Sequence, residues 1–394
     1  MEQSDKILLE ARGVTKIYGR NKSLAAKMMR EGSDKNTVFR KTGATVALWD
    51  VSFKVREGEV FVIIGLSGSG KSTIIRCFNQ LLRVSSGSVC YDGQNVSEMD
   101  RKTLLSLRRN KISMVFQNFG LFTHRTVIDN VAYGLEVKGV SKAEREEKAR
   151  ELISMVGLEG HEDKPISSLS GGMKQRVGIA RALSNDPEVL LMDEPFSALD
   201  PLVRKDMQFE LLSIQRKLGK TILFITHDIN EAFKLGDTVA IMKDGKVIQI
   251  DTPEEMSSSP ADEYVSQFIE SADKSQVLTA KHVMVTPFCL AREKDSPANT
   301  IREMRQSGVS SVYVVDGKMH LVGILSIDEA VMARDGKLPI SQFIEREVVT
   351  VGMDELVSEI MPLSAESKYP IAVVDGEMVL KGIISKASVI ASIV

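Results

Sequence analysis

The hydrophobic pattern of the first two thirds of the chain consists of short apolar runs that each stop at a polar residue. The runs Val60–Ile64, "VLLMD" up to Asp193, and "TILFIT" are typical of strands buried on both faces of a parallel sheet. After the first run, Ile74, Phe78 and Leu81 recur at helical spacing. The pattern predicts an α/β domain in which helices follow buried strands.

The last third of the chain contains an internal repeat. "VVDGKMHLVGILS" at 314–326 returns as "VVDGEMVLKGIIS" at 373–385, an offset of 59 residues. In each copy the pattern predicts a strand, a hairpin turn at Asp-Gly, a second strand and an apolar helix. We therefore expect a second, α+β domain built from two similar units.

Length and composition limit the classes of protein to consider. At 394 residues the chain exceeds the roughly 250–300 residues that one hydrophobic core supports, so several domains are expected. A net charge of −2 gives no reason to expect a nucleic acid partner. Three cysteines without close spacing argue against a disulfide framework and against a zinc site.

Targeting signals are not expected either. The beginning of the sequence has acidic residues and no long apolar run, which does not fit a signal peptide. No stretch has the ~18 consecutive apolar residues that a membrane span needs. We expect a cytosolic chain, or one that reaches a membrane only through other subunits.

The segment "GLSGSGKST" at 65–73 has the spacing of a phosphate-binding loop between a strand and a helix. Its glycines let successive backbone N–H groups close around an anion, and the helix N-terminus adds partial positive charge. Lys71 is expected at the β- and γ-phosphates, and the Ser72 hydroxyl on Mg²⁺. The predicted nucleotide-binding residues of this loop are Gly65, Ser67, Gly68, Ser69, Gly70, Lys71, Ser72 and Thr73.

Polar residues at the ends of other buried strands supply candidate catalytic groups. Asp193 is predicted to bind Mg²⁺ together with Ser72, and Glu194 to act as the general base for water. His227 follows "TILFIT" and is a candidate donor to the γ-phosphate, although a structural histidine is the alternative. Gln117 in "MVFQN" could bridge Mg²⁺ and water, and is predicted as both a metal ligand and a catalytic residue.

The segment "LSGGMKQR" at 169–176 adds a second glycine-rich turn. The motifs, in this order, resemble the nucleotide-binding subunit of an ABC transporter, a P-loop NTPase fold with a helical subdomain. The resemblance implies a head-to-tail dimer in which Ser170, Gly171 and Gly172 cap the nucleotide of the partner subunit. It also implies that Asp200 of "SALD" lies across the interface, and that Tyr18 of "KIYG" stacks on adenine.

Within that family the chain resembles the ATP-binding subunits of glycine betaine and proline betaine importers. The resemblance rests on the segments "FSALDPLVR" and "IMKDGKVIQIDTPEE" and on an extra basic segment. That segment carries seven Lys and Arg residues against two acidic ones, and predicts one amphipathic helix ending at Gly32. It is either a solvated excursion or a contact with an anionic membrane surface. The expected domains are the ABC ATPase domain at 1–265, with the insertion at 20–43 and the helical subdomain at about 118–186, a linker at 266–278, and repeats at 279–337 and 338–394.

The repeats resemble tandem CBS domains, which often bind adenosine-containing ligands between them. Relatives that hold ribose usually have an acidic residue three positions after the Ser or Thr that follows the second strand. Here that position is Glu329 in the first copy and Ser388 in the second. This argues against a simple ATP or AMP sensor and leaves open cyclic-di-AMP, or a pair that only braces the transporter.

The resemblance therefore implies an ATP-hydrolysing subunit that energises import of a quaternary-ammonium osmoprotectant and is regulated by a CBS ligand and by ionic strength. The implied cofactors are ATP and Mg²⁺. The implied partners are a membrane permease, a second copy of the chain and an extracellular solute-binding protein, at the cytoplasmic face of a prokaryotic membrane. The alternatives are an ABC ATPase for another solute, a soluble ABC ATPase outside transport, and a sensing module with a degenerate ATPase domain. The residues alone leave open the solute, the CBS ligand, the permease stoichiometry and the role of Tyr18.

Overall fold

The computed structural model describes residues 6–197, 199–270, 275 and 277–393. Contacts divide the chain into two compact units, Met1–Ala272 and Asp273–Val394, and each unit is described by itself. Within the described ranges, every helix is too short or too polar to cross a lipid bilayer.

The first unit is a mixed α/β structure. Its strands are β1 Ile7–Tyr18, β2 Thr45–Arg56, β3 Val60–Ile64, β4 Ser86–Tyr91, β5 Gln94–Asn95, β6 Ile112–Val115, β7 Val189–Asp193, β8 Thr221–Thr226, β9 Thr238–Lys243 and β10 Lys246–Asp251. Its helices are α1 Lys22–Arg30, α2 Lys35–Thr42, α3 Lys71–Phe78, α4 Arg101–Asn110, α5 Val127–Val137, α6 Lys142–Met155, α7 Gly171–Leu183, α8 Pro201–Leu218, α9 Ile229–Leu235, α10 Pro253–Ser258 and α11 Glu263–Ile269.

A six-stranded sheet in the order β10-β9-β3-β8-β7-β6 forms the centre of this unit. Strands β9, β3, β8, β7 and β6 are parallel, and only β10 is antiparallel to its neighbour. Every residue of β3, β7 and β8 is buried, as their apolar runs predict. Because the strands are parallel, their carboxyl ends meet at one edge, where the predicted polar residues follow β6, β7 and β8.

A second, antiparallel sheet in the order β2-β1-β4-β5 packs on the first through a shared apolar core. The rings of Phe53 and Phe61 stack in this core with centroids 5.1 Å apart. Phe78 of α3 adds a third ring. Leu81 departs from the prediction: α3 ends at Phe78, so Leu81 lies beyond the helix and is exposed.

The basic insertion contains two helices, α1 and α2, where the sequence predicts one. The second helix begins where the Asp34 carboxylate accepts a hydrogen bond from the backbone N–H of Thr37 at 2.9 Å. The insertion is not a solvated excursion, because it has its own small core. The buried residues of that core are Ile17, Ala25, Met28, Met29, Val38, Ala44 and Val46.

The helices α5, α6 and α7 lie in the segment predicted as a helical subdomain. Asn130 of α5 is completely buried and holds the preceding loop: its amide donates to the carbonyls of Phe122 and Thr126, at 3.1 and 2.9 Å. The loop that leads into this subdomain is therefore rigidly attached to α5.

The predicted linker at 266–278 is in part built into the two units. Helix α11 continues to Ile269, and Val265 and Ile269 are buried in the first unit because they recur at helical spacing. Leu278 belongs to the core of the second unit. Residues 271–274 and 276 of the predicted linker lie outside the described residues.

The second unit contains two three-stranded sheets with the same topology. Its strands are β11 Leu290–Arg292, β12 Ser311–Val315, β13 Leu321–Ser326, β14 Thr350–Gly352, β15 Ile371–Val374 and β16 Leu380–Ile384. Its helices are α12 Ala280–Val283, α13 Pro297–Gln306, α14 Ile327–Asp335, α15 Val357–Glu366 and α16 Lys386–Ile393. In each sheet the first pair of strands is parallel and the second antiparallel, which confirms the predicted strand–turn–strand–helix repeat.

The two repeats join through their hairpins. The backbone N–H of Leu321 donates to the Met378 carbonyl at 2.9 Å, and that of Leu380 to the Met319 carbonyl at 3.0 Å. In both hairpins the left-handed residue is a methionine, Met319 or Met378, rather than the glycine of the Asp-Gly pair. Asp316 and Asp375 stabilise these left-handed turns, since each carboxylate accepts hydrogen bonds from two backbone N–H groups of its own turn.

Candidate nucleotide-binding site

The loop between β3 and α3 needs glycine for packing reasons. A Cβ atom on Gly65 would lie 2.2 Å from the carbonyl oxygen of Met242, and one on Gly70 would lie 2.7 Å from that of Ala47. Both glycines also have positive φ angles. The loop can therefore follow its path only with glycine at these two positions, as the predicted motif requires.

Lys71 begins α3, and its ammonium group is buried inside the loop. The Lys71 Nζ donates to the carbonyl oxygens of Gly65 and Leu66 at 2.6 and 3.2 Å. Burial lowers the pKa of Lys71, and the negative charges of Glu194 and Asp193 oppose that shift. The ammonium group is thus held by the carbonyl groups of the loop, and two carboxylates are near enough to act on its charge.

Asp193 ends β7 and is 1% exposed. Its carboxylate accepts from the Ser72 hydroxyl at 2.7 Å and from the Arg76 guanidinium at 2.9 Å. Ser72 and Arg76 lie one turn apart on α3, which brings both side chains to the same carboxylate. The predicted pair Ser72–Asp193 is adjacent in the structure. Arg76 was not predicted, although its i,i+4 spacing from Ser72 is the signal that could have identified it.

Glu194 brings together three candidate catalytic residues from three strand ends. Its carboxylate oxygen Oε2 lies 3.2 Å from the Gln117 amide nitrogen and 3.3 Å from His227 Nδ1. The Glu194 backbone has a left-handed φ of 47°, and its N–H donates to the Ile225 carbonyl at 3.1 Å. This turn points the carboxylate sideways from the strand axis, toward the residues that follow β6 and β8.

The donor set of the loop fits a polyphosphate with a divalent cation. The Ser69 hydroxyl is buried and is without a hydrogen-bond partner among the described residues. A buried hydroxyl of this kind suits a phosphate oxygen. The ammonium group of Lys71 and the N-terminus of α3 add positive charge, and the oxygens of Ser72 and Asp193 are ligands that Mg²⁺ prefers.

The second glycine-rich turn begins α7. Ser170 is the N-cap, and its hydroxyl accepts from the backbone N–H of Met173 at 3.3 Å. Asp200 caps α8 in the same way, through the Val203 N–H at 3.1 Å. A Cβ atom on Gly172 would lie 2.5 Å from a Val203 methyl group, so these two helix starts are neighbours. In the described part of the chain, no hydrogen bond joins Ser170 or Asp200 to the phosphate loop.

Tyr18 ends β1, in the antiparallel sheet rather than the sheet that carries the phosphate loop. The residue is 37% exposed, and the Lys16 ammonium lies 4.9 Å from the centroid of its ring. An exposed aromatic face with a nearby cation can stack on a base, and this role stays a prediction.

In the second unit, Glu329 of the first repeat and Ser388 of the second repeat both cap helices. The Glu329 carboxylate accepts from the backbone N–H and the hydroxyl of Ser326, at 2.9 and 2.8 Å. Ser388 takes the same place in the second copy, with its hydroxyl 2.6 Å from that of Ser385. Both side chains are therefore committed to the start of a helix.

Comparison with known families matches residues 48–197 to the ABC transporter model and residues 280–336 to the CBS domain model. The chain is 49% identical over 96% of both sequences to the glycine betaine/carnitine transport ATP-binding protein GbuA of Listeria monocytogenes. The chain belongs to the ATP-binding subunits of ABC transporters. Membership of this family confirms the predicted fold class, and it makes the chain an ATPase.

Two further relatives extend the comparison. The glycine betaine transport ATP-binding protein OpuAA of Bacillus subtilis is 45% identical over 98% of this chain and 92% of its own. Among solved structures, the ATP-binding cassette MJ0796, described as a dimer in a post-hydrolysis state bound to ADP and phosphate, is 33% identical. The match covers 63% of this chain and 99% of the MJ0796 chain, with a TM-score of 0.54. The relatives that match nearly end to end include the second unit as well as the ATPase.

Proposed function

We propose that this ABC ATPase energises the import of a quaternary-ammonium osmoprotectant of the glycine betaine type through a membrane permease. The observation that carries the ATPase part is the meeting of Glu194, Gln117 and His227 beside the phosphate loop. The substrate class is supported by relatives named for glycine betaine transport that match almost the whole chain.

Lys71, Ser72 and Asp193 would hold ATP and Mg²⁺ in this mechanism. The bound Mg²⁺–ATP supplies the phosphoanhydride bond to be cleaved and the charge of the metal. The Glu194 carboxylate would take a proton from the attacking water, while the Gln117 amide and the His227 ring position that carboxylate. The backbone N–H groups of the loop and the start of α3 bind the negative charge of the phosphates.

A second copy of the chain completes each nucleotide site. Ser170, Gly171 and Gly172 stand at the N-terminus of a 13-residue helix, which suits the γ-phosphate of a neighbouring subunit. Asp200 is exposed and lies on the neighbouring helix start, where it can reach across such an interface. The dimer described for MJ0796 supports this arrangement.

The permease partner would bind a groove of about 420 Å³ between the sheet and the helical subdomain. The groove is lined by apolar and basic side chains, among them Leu81, Phe116, Tyr133 and Arg181. Phe116 directly precedes Gln117. A permease segment bound in the groove would therefore contact a residue next to the proposed catalytic centre. The chain would then lie at the cytoplasmic face of the membrane, and an extracellular solute-binding protein would deliver the substrate to the permease.

The insertion would contact an anionic membrane surface. Lys22, Lys27 and Arg30 of α1 are exposed, and so are the apolar side chains of Leu24 (48%) and Phe39 (55%). Basic groups next to exposed apolar side chains are typical of segments that bind anionic lipid surfaces. High ionic strength screens this attraction, which would release the subunit in a shrinking cell.

The second unit would bind cyclic-di-AMP as an inhibitory signal, with repeats at 279–337 and 338–394. Because Glu329 and Ser388 are engaged in hydrogen bonds that cap helices, neither side chain is positioned to bind a ribose hydroxyl. This supports a ligand held through its bases and phosphates. Calorimetry with the full chain tests it: absence of binding by any adenine nucleotide beyond that of the ATPase site would leave only a bracing role.

The test of the transport function is reconstitution with the permease in lipid vesicles. We expect Mg²⁺-dependent ATP hydrolysis that rises when glycine betaine and the binding protein are present, and no hydrolysis with Lys71→Ala. Hydrolysis that none of glycine betaine, carnitine or choline stimulates would overturn the substrate class. Hydrolysis by the Lys71→Ala subunit at the wild-type rate would overturn the site.

A further inference from the structure

Both residues that flank His227 are tied to one buried carboxylate. The Thr226 hydroxyl donates to Glu231 Oε2 at 2.5 Å, and the Asp228 N–H donates to the Thr226 hydroxyl oxygen at 3.0 Å. Glu231 lies on α9 and is 6% exposed. The path of the backbone at His227 therefore depends on the position of Glu231.

Arg204 of α8 joins this turn to the segment that precedes α8. Its Nη2 donates to the Leu199 carbonyl at 3.1 Å. Its Nη1 lies 3.6 Å from an Asp228 carboxylate oxygen, and its Nε lies 3.8 Å from Glu231 Oε1. Leu199 directly precedes Asp200, which is the N-cap of α8. One guanidinium group thus connects the start of α8 with the carboxylates of Asp228 and Glu231.

The contact between Arg204 and Glu231 is an ion pair without a hydrogen bond. The Arg204 Nε is buried and has no hydrogen-bond partner among the described residues. A buried donor without an acceptor is costly, and a normal hydrogen bond needs a donor–acceptor distance of about 3 Å. Burial raises the pKa of Glu231, while the Thr226 hydroxyl and the Arg204 charge oppose that rise. Both side chains gain from a closer approach, so the pair can respond to a small displacement of α8 or α9.

We propose that Arg204 is a positioning residue that couples contact with a second subunit at Asp200 to the position of His227. This rests on the proposed head-to-tail dimer. A partner subunit that fixes Asp200 would also fix the Leu199 carbonyl, and the guanidinium group would transmit that displacement to the turn after β8. Because His227 Nδ1 lies 3.3 Å from the Glu194 carboxylate, the displacement reaches the proposed general base.

Hydrolysis and ATP binding should respond differently to loss of this coupling. In the described part of the chain, the polar contacts of the Arg204 guanidinium are with Leu199, Asp228 and Glu231, and the phosphate loop is not among them. A residue that acts only on the position of His227 affects the cleavage step and leaves the affinity for ATP unchanged.

The test uses the full-length subunit reconstituted with its permease, carrying Arg204→Gln or Arg204→Lys. For Arg204→Gln we expect kcat to fall by about 10- to 100-fold, the range set by one hydrogen bond to a charged group. The Kd for a fluorescent ATP analogue should stay within about twofold of wild type. Arg204→Lys should recover part of the rate, because it keeps the charge but not the planar fork that reaches three oxygens at once.

A second measurement places Arg204→Gln in a His227→Ala background, with single-turnover hydrolysis followed over hours. If Arg204 acts through His227, its replacement should slow this variant by less than about twofold. A residue that only stabilises the fold would slow it by the same factor as in wild type. The matched control is Lys205→Gln, which removes the same charge from the next, exposed residue of α8 and should behave like wild type.

Three results would overturn the coupling role of Arg204. They are a wild-type kcat in Arg204→Gln, equal losses of kcat and ATP affinity together with a lower melting temperature, and a full loss of rate in the His227→Ala background. Hydrolysis at the wild-type rate by Ser170→Arg subunits would instead overturn the proposed dimer, so the two failures are distinguishable.

Discussion

Glu194 illustrates how one residue's backbone sets the geometry of the proposed catalytic site. A non-glycine residue in the left-handed region is uncommon and costs backbone energy, so the surrounding structure must hold it there. The hydrogen bonds of its own N–H to Ile225 and of the Ser197 hydroxyl to its carbonyl do so. The strained turn places the carboxylate next to Gln117 and His227.

Replacement of Glu194 by Gln should abolish hydrolysis and leave ATP binding intact. Gln keeps the size of the side chain and cannot accept a proton from water, so hydrolysis should fall by about 10²–10⁴-fold. ATP binding should persist, because Lys71, Ser72 and Asp193 are unchanged. We expect a nucleotide-bound dimer that is stable in gel filtration, while turnover within a few-fold of wild type would exclude Glu194 as the base.

The aspartates of the two hairpins in the second unit give a prediction on pH. A hydrogen bond with His320 and two backbone N–H groups lower the pKa of Asp316 to about 2, and Lys381 with two N–H groups does the same for Asp375. Because these pKa values are below the unfolded value, the stabilisation is complete above pH ~4 and is lost as the pH falls through about 2.

The double variant Asp316→Asn, Asp375→Asn should therefore lower the melting temperature of the second unit at pH 7. The difference from wild type should shrink as the pH falls from 4 to 3. In this range Asp316 and Asp375 of the wild-type protein become protonated in the unfolded state while they are still charged in the folded state. The control is Asp354→Asn, an exposed aspartate of the same unit. A difference that grows toward acid pH would contradict the assignment.

At the scale of elements, the insertion is a helix pair with a fixed orientation. Its apolar residues face β1 and β2, which leaves most of its basic residues in solvent. Lys35 is the exception: it is half-buried next to Gly245, and burial lowers its pKa while Asp244 opposes that shift. Lys35 thus packs against the β9–β10 turn, and we do not count it among the basic residues that could contact a membrane.

Neutralisation of Lys22, Lys27 and Arg30 should make the reconstituted transporter active at low salt. Each basic group near an anionic leaflet contributes up to about 1 kcal/mol, and salt shortens the Debye length from ~10 Å at 0.1 M to ~3 Å at 1 M. Transport is measured against salt concentration in vesicles of one anionic-lipid content. The control variant neutralises Lys142, Lys148 and Arg150 on α6, which removes the same charge elsewhere; an unchanged salt threshold in the insertion variant would exclude the insertion as the sensor.

At the scale of the whole molecule, the proposed nucleotide site is completed by a second copy of the chain. The phosphate loop and the Ser170 turn begin different helices, α3 and α7, and in one described chain they share no hydrogen bond. In the proposed dimer of two identical, oppositely oriented subunits, the turn of one chain would lie over the loop of the other, in two equivalent sites.

Mixed dimers test this arrangement. Ser170→Arg subunits have an intact loop, and Lys71→Ala subunits have an intact turn, so a dimer of one each should contain one complete site. Either variant alone should retain no ATP in a closed dimer, and the verified mixed dimer should retain one ATP. No retained ATP in the mixed dimer would rule out the head-to-tail model.

Several features of this protein could be predicted from the sequence because they depend on contiguous residues. Val60–Ile64 identifies a buried strand, residues 65–73 identify the loop and the start of α3, and the copies at 314–326 and 373–385 identify two related folds. A run of apolar residues, a glycine spacing or a repeated hairpin carries its own local conformational preference, so no long-range contact is needed to recognise it.

Only the tertiary structure decided which of these residues meet. Glu194 approaches Gln117 and His227 because the sheet places β6, β7 and β8 side by side, and Arg76 is recruited only once α3 packs beside β7. Contacts between distant segments follow from strand order and packing, which the local pattern of polar and apolar residues does not encode. The sequence therefore determined the parts of the site, and the order of the strands determined their geometry.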